Sequence, residues 1–141
     1  MAAFNKFNLT VQYFLNGGNL NLSSDTCKFL LTNTAPVATN STYSSISANE
    51  LANGNGYTTG GVALTSPSST NASGVQTVSG TIPNPTWTAT GSMGPFRYVV
   101  YYDSTASGQP LLGWWDNGSP VTLSASQTFT LTLATGLFTL T

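Results

Sequence analysis

Outside tyrosine, the ionisable side chains are few: Asp25, Glu50, Asp103 and Asp116, the thiol Cys27, and the cations Lys6, Lys28 and Arg97. The chain has no histidine. It can therefore supply neither a histidine base nor an imidazole metal ligand, and a Ser-His-Asp triad is excluded. Two carboxylates can hydrolyse a glycoside, one as acid and the other as base or nucleophile. Asp103 and Asp116 are the candidates, because each ends an apolar run and the two runs are expected to lie side by side. The competing role is an ion pair or hydrogen-bonded turn with Arg97, and in a chain with 5% charged residues that is the expectation. Cys27 has no histidine to deprotonate it and is expected as a buried, inert thiol. A single cysteine also excludes an intrachain disulfide and a multi-cysteine metal site. Glu50 follows Ser47 at capping-box spacing, which predicts one helical turn through Leu51 with Glu50 as its cap. These residues imply no enzymatic activity, no cofactor and no small-molecule substrate.

The stretch from Gly94 to Asp116 is expected to be the centre of the fold. It holds Phe96, Tyr98, Tyr101, Tyr102, Trp114 and Trp115 in two short runs. Phe96 to Asp103 has the aromatic and β-branched content of a strand buried on both faces, and Leu111 to Asp116 is its return. Adjacent residues on a strand point to opposite faces. One member of each pair, Tyr101/Tyr102 and Trp114/Trp115, is therefore expected to fill the core, and the other to face outward, where an exposed ring could stack on a sugar or meet a partner. Trp87 and Ala89 alternate onto one face, as do Phe129, Leu131 and Leu133. Asp116-Asn117-Gly118 reads as a turn, residues 53–61 as a glycine-rich turn around an inserted Tyr57, and 66–80 as an exposed loop or loose hairpin. Residues 4–15 carry both a strand alternation and a helical stripe; Gly17 and Gly18 suit a helix C-cap or a hairpin turn. About seven or eight short strands with frequent turns predict a mainly β, antiparallel sandwich in one domain spanning 1–141, with a helix or strand at 1–18.

At 141 residues the chain is the size of one domain that can fold without metal or disulfide. Its net charge of -1 offers no field for nucleic acid, whose binding rests on phosphate neutralisation. No run of 18 apolar residues suggests a membrane span, and no basic segment leading into an apolar one suggests a secretory signal. The Asn-x-Ser/Thr triplets at Asn8, Asn21, Asn40, Asn71 and Asn117 are accordingly read as accidents of an Asn/Ser/Thr-rich composition.

Several segments taken in order resemble a family of small structural proteins encoded by tailed bacteriophages. They are FNKF at 4–7, SDTCKFLLTNTAPVATN at 24–40, ELANGNGYTTGG at 50–61, WTATGSMGPFRYVVYYD at 87–103, PLLGWWDNGSPVTLSASQTFTLTL at 110–133 and GLFTLT at 136–141. The resemblance implies a virion component assembled in the bacterial host cytoplasm, with a short helix in 4–16 and no catalytic residues. The role it implies is capsid decoration or cement, bridging copies of the major capsid protein or other virion subunits, with self-association also open. A tail- or fibre-associated role is the alternative within the class, and a carbohydrate-binding module the alternative outside it. The expected contacts are the polar loops Pro36 to Ser45 and Ser66 to Gly80, with Asn40, Thr70 and Asn71, and the outward aromatics among Tyr101, Tyr102, Trp114 and Trp115.

Overall fold

A computed structural model of the chain describes residues 3–15, 21, 24–64, 67–80, 84–133 and 138–140. The fold is mainly β and sandwich-like, with all strand pairs antiparallel. Its strands are β1 (Phe4–Lys6), β2 (Cys27–Thr32), β3 (Val62–Ala63), β4 (Pro67–Ala72), β5 (Val75–Gly80), β6 (Thr86–Thr88), β7 (Met93–Asp103), β8 (Leu111–Leu123), β9 (Thr128–Thr130) and β10 (Phe138–Leu140). One six-residue helix, α1 (Thr10–Leu15), follows β1.

The central sheet has the order β1-β8-β7-β2-β3. Its middle is the aromatic hairpin: Val99 lies opposite Trp115 and Val100 opposite Trp114, while Phe29 of β2 lies opposite Tyr101. One face carries Cys27, Phe29, Leu31, Phe96, Val99, Tyr101 and Trp115, and the two-stranded sheet β6-β9 covers it with Trp87 and the half-buried Phe129, joined by Leu131 just after β9. Phe29 stacks on Tyr101 with ring centroids 4.9 Å apart, and Phe129 meets Phe96 edge-on at 5.0 Å. Such rings bury on the order of 150–250 Å² each, which makes this layer the main offset to the entropy of ordering so many short segments. The opposite face carries Leu30, Val100, Tyr102 and Leu111 under Phe7 and Ile46.

Residues 4–15 use both of their competing patterns. Phe4 to Lys6 pair with the outer edge of β8, and the chain then turns at Asn8 and Leu9 into α1. Phe7, fully buried, divides the two, and the Thr10 hydroxyl anchors the start of the helix by donating to the Leu112 carbonyl at 2.9 Å. The expectation of a helix is thus met only from Thr10 onward, because β8 has an unpaired edge that a strand can satisfy. Gly17 and Gly18 lie outside the described residues. Gly113 makes the β1 pairing possible, since the Phe4 ring occupies the space a side chain would fill there.

One turn expectation changes in kind, and at 66–80 the hairpin alternative is the one observed. Asp116-Asn117-Gly118 does not reverse the chain. Tyr98 lies opposite Asp116 but Phe96 lies opposite Val121, so Asn117 to Pro120 form a wide bulge within the continuous strand β8. Gly118 takes φ +87° there, and its N–H donates to Asp116 Oδ1 at 2.7 Å. Residues 67–80 form a regular hairpin whose two-residue turn has φ 52° at Ser73 and 80° at Gly74, the signs of a type I′ turn.

Candidate interaction surface

Tyr101, Tyr102 and Trp115 are all buried, with at most 5% exposure, and only Trp114 is half-buried. Tyr102 is therefore covered rather than outward-facing, and Trp114 is only partly exposed. Alternation holds, since Tyr101 and Trp115 fill one core and Tyr102 and Trp114 lie on the other face, but that face is covered as well. Phe7 packs on Trp114 with centroids 4.5 Å apart. Tyr43 stacks on Tyr102 at 5.0 Å, and the Tyr102 hydroxyl donates to the Gly60 carbonyl at 2.9 Å. A sugar-stacking platform on Trp114 has its ring already in contact with protein.

That cover is testable by fluorescence. Phe7→Ala removes the ring over Trp114, and we expect a red-shifted tryptophan emission together with a loss of about 3–5 kcal/mol of stability. An unchanged emission maximum in the folded variant would show that Trp114 does not depend on the N-terminal segment for its cover.

The two carboxylates once candidates for paired catalysis do not meet. Asp116 forms a bidentate pair with Arg97, at 2.7 and 2.8 Å, on the bulged part of the hairpin. The guanidinium and the Gly118 N–H hold its carboxyl below the usual range. Asp103 instead sits opposite Cys27, fully buried, where its Oδ1 accepts from Thr105 N at 2.8 Å and Ala106 N at 3.0 Å. Burial pushes its pKa up despite those two donors. Cys27 is free and buried, and desolvation raises its thiol to about 12, so the thiolate needed for nucleophilic chemistry is suppressed.

Glu50 ends the turn Ser47–Asn49 with its backbone N–H on the Ser47 carbonyl, but its side chain is not a helix cap. Tyr43–Ser45 and Ser47–Asn49 are single 3-10 turns without side-chain caps, and the Glu50 carboxylate is drawn elsewhere. It accepts from the Tyr43 hydroxyl at 2.6 Å, the Tyr57 hydroxyl at 2.5 Å and the Gly60 N–H at 2.6 Å. Tyr57 in turn accepts from Leu31 N at 3.1 Å, so one carboxylate joins two loops to β2. Burial and the Glu50 contact raise both tyrosine hydroxyls well above their ordinary range, keeping them protonated as donors. This is a structural clamp in which both carboxylate oxygens already accept hydrogen bonds.

The accessible features lie beside this clamp. A cleft of about 180 Å³ is lined by Thr32, Ala35, Pro36, Val37, Asn40 and Ile46, among others. Asn40 is half-buried in its wall and its Oδ1 accepts from Val37 N at 2.9 Å. Val37 on the rim is 54% exposed, and the other exposed large apolar side chains among the described residues are Leu9 at 37% and Leu15 at 78%. The two segments touch, since Asn8 N donates to the Ala38 carbonyl at 2.8 Å. Thr70 and Asn71 are exposed on β4, opposite Thr77 and Gln76, away from this apolar group in sequence. Leu9 and Leu15 were hidden from sequence reasoning because each fits an apolar pattern that could equally have been core, whereas Val37 lies inside the loop Pro36 to Ser45 expected as a contact. Among the described residues no group of three or more His, Cys, Asp and Glu could hold a metal ion, and no helix is long and apolar enough to cross a membrane. Comparison with protein-family models, curated proteins and solved structures gave no match to this chain.

Proposed function

We propose that the chain is a structural component of a tailed-phage virion, a decoration or cement protein that binds the assembled head through the loop 34–46 and the N-terminal segment. The observation that carries this reading is the exposure of Val37 beside a shallow, uncharged cleft, with Leu9 on the adjoining segment. Exposed apolar side chains next to a concavity are what a protein partner covers. The sequence resemblance to phage structural proteins supplies the partner class, the major capsid protein or another virion subunit. A protein that binds the lattice and not the separated subunits stabilises the particle by mass action.

Quantitative mass analysis of purified virions tests the reading directly. A copy number matched to the capsid lattice is expected; a few copies, or a few tens, would assign the chain to the tail instead. Val37→Asp provides the residue-level check. Because Val37 is exposed, its replacement should change stability by less than about 0.5 kcal/mol, while affinity for heads lacking the protein falls at least about tenfold. Undiminished binding by this variant would remove the cleft from the interface.

A further inference from the structure

Asp103 is the one fully buried carboxylate among the described residues, and its environment is at odds with a full charge. Oδ1 has two backbone donors, but Oδ2 is buried without any N–H or O–H donor. What it faces is another carboxyl, that of Asp25, whose own Oδ2 accepts from Asn21 N at 2.6 Å. Neighbouring bonds press the two segments together. Thr26 N donates to Thr105 Oγ1 at 2.8 Å, and the Ser104 N–H and hydroxyl both donate to the Thr26 carbonyl. Two carboxylates held in this way repel each other and leave a buried acceptor unpaired, whereas one proton between them turns the repulsion into a short, strong hydrogen bond.

We infer that Asp103 carries a proton at acidic pH and donates it to Asp25, so that the pair latches the segment entering β2 to the loop 104–110 and releases it as the pH rises. The other titratable groups around Asp103 are Cys27 of β2 and Tyr101 of β7, both neutral because burial raises them. The loop 104–110 and the first residues of β8 contain no ionisable side chain. The only ion pair among the described residues is Arg97 with Asp116, so no cation neutralises either member of the latch. On release the proton goes to solvent and leaves two carboxylates facing each other.

The sign of the pH effect follows from the direction of the shift. Asp103 binds its proton more tightly folded than unfolded, so its contribution is complete at acid pH and is lost as pH rises through the folded value. Asp116 acts in the opposite sense, since its lowered pKa gives a contribution lost as pH falls. Comparing variants isolates the latch. In Asp103→Asn the side-chain carbonyl keeps the two backbone bonds and the amide donates to Asp25 at any pH.

The experiment follows the carboxyl carbons of the full chain by 13C NMR from pH 3 to pH 9, with melting temperatures of wild type, Asp103→Asn and Asp25→Asn over the same range. Asp103 is expected to titrate above the ordinary aspartate range, and in Asp25→Asn its midpoint should fall. The wild-type melting temperature should drop by a few degrees toward pH 8 relative to that of Asp103→Asn. A wild-type Asp103 midpoint at or below the ordinary range overturns the inference, as do parallel pH profiles in all three proteins. If Asp103→Asn does not fold, the NMR midpoints of the other two decide. Calcium raising the wild-type melting temperature at pH 8, but not that of Asp103→Asn, would also overturn it, by placing a cation and not a proton between the two groups.

Discussion

Phe29→Ala is expected to remove about 3–5 kcal/mol of folding stability. Phe29 is fully buried at the centre of β2, its ring 4.9 Å from Tyr101 and 5.9 Å from Trp115. Its neighbours are held by strand pairing on both sides, β3 on one and β7 on the other, so they cannot collapse into the space it leaves. The Gly61 backbone closes the remaining approach: at φ +75° it lies so tightly on the Phe29 carbonyl that a methyl group would collide with it. Against a total stability of roughly 5–15 kcal/mol, the loss is about a fifth or more. A urea melt reads it as a midpoint lowered by about 1.5–2.5 M, taking a slope near 2 kcal/mol/M. A shift no larger than that of the exposed Val37→Ala would mean that this face is not the load of the fold.

The strands that dominate the core were legible because their signal is local. Phe96 to Asp103 and Leu111 to Trp115 are so rich in aromatic and β-branched residues that few other structures could bury them. The period-2 rule also separated Tyr101 from Tyr102 and Trp114 from Trp115 correctly. It could not say that both faces are covered, because the cover comes from Phe7 and from Tyr43 and Ile46, far away in sequence. The same limit applied at Asp116-Asn117-Gly118. Its residue types suit a turn, and only the partner strand β7, itself irregular between Met93 and Tyr98, shows that the extra residues are absorbed as a bulge. Residues 4–15 were ambiguous because two periodicities overlap there, and the open edge of β8 decided between them at Phe7. The loop Pro36 to Ser45 was legible as a contact segment, but the direction of Val37 within it was not, since a valine in a polar loop looks the same whether it points in or out.

Glu50 is where local spacing misled most, and its replacement is the second large effect expected. A serine three residues before a glutamate proposes a cap, yet the cap would satisfy exposed backbone donors that water serves almost as well. Two tyrosine hydroxyls and the Gly60 N–H, partly withdrawn from water, gain more from the carboxylate, and they win. Glu50→Ala leaves those three donors short of an acceptor, although Tyr57 still accepts from Leu31 N. The expected cost is about 2–4 kcal/mol, since donors to a charged acceptor contribute more than neutral pairs. Glu50→Gln separates charge from shape: one amide oxygen remains as an acceptor, the NH2 group faces a hydroxyl that must rotate to receive it, and the loss should be about half as large. Hydrogen exchange at Gly60 and Leu31 reports the site itself, with faster exchange expected at both in Glu50→Ala. If Glu50→Ala melts like wild type while Ser47→Ala is the destabilised variant, the cap is real and the clamp is not. The clamp also borders the cleft, through Thr32, whose hydroxyl donates to the Asn49 carbonyl at 2.6 Å beside Glu50. Loss of the carboxylate should therefore loosen the wall that presents Val37, and the head binding proposed above should weaken in Glu50→Ala even at temperatures where the variant is fully folded.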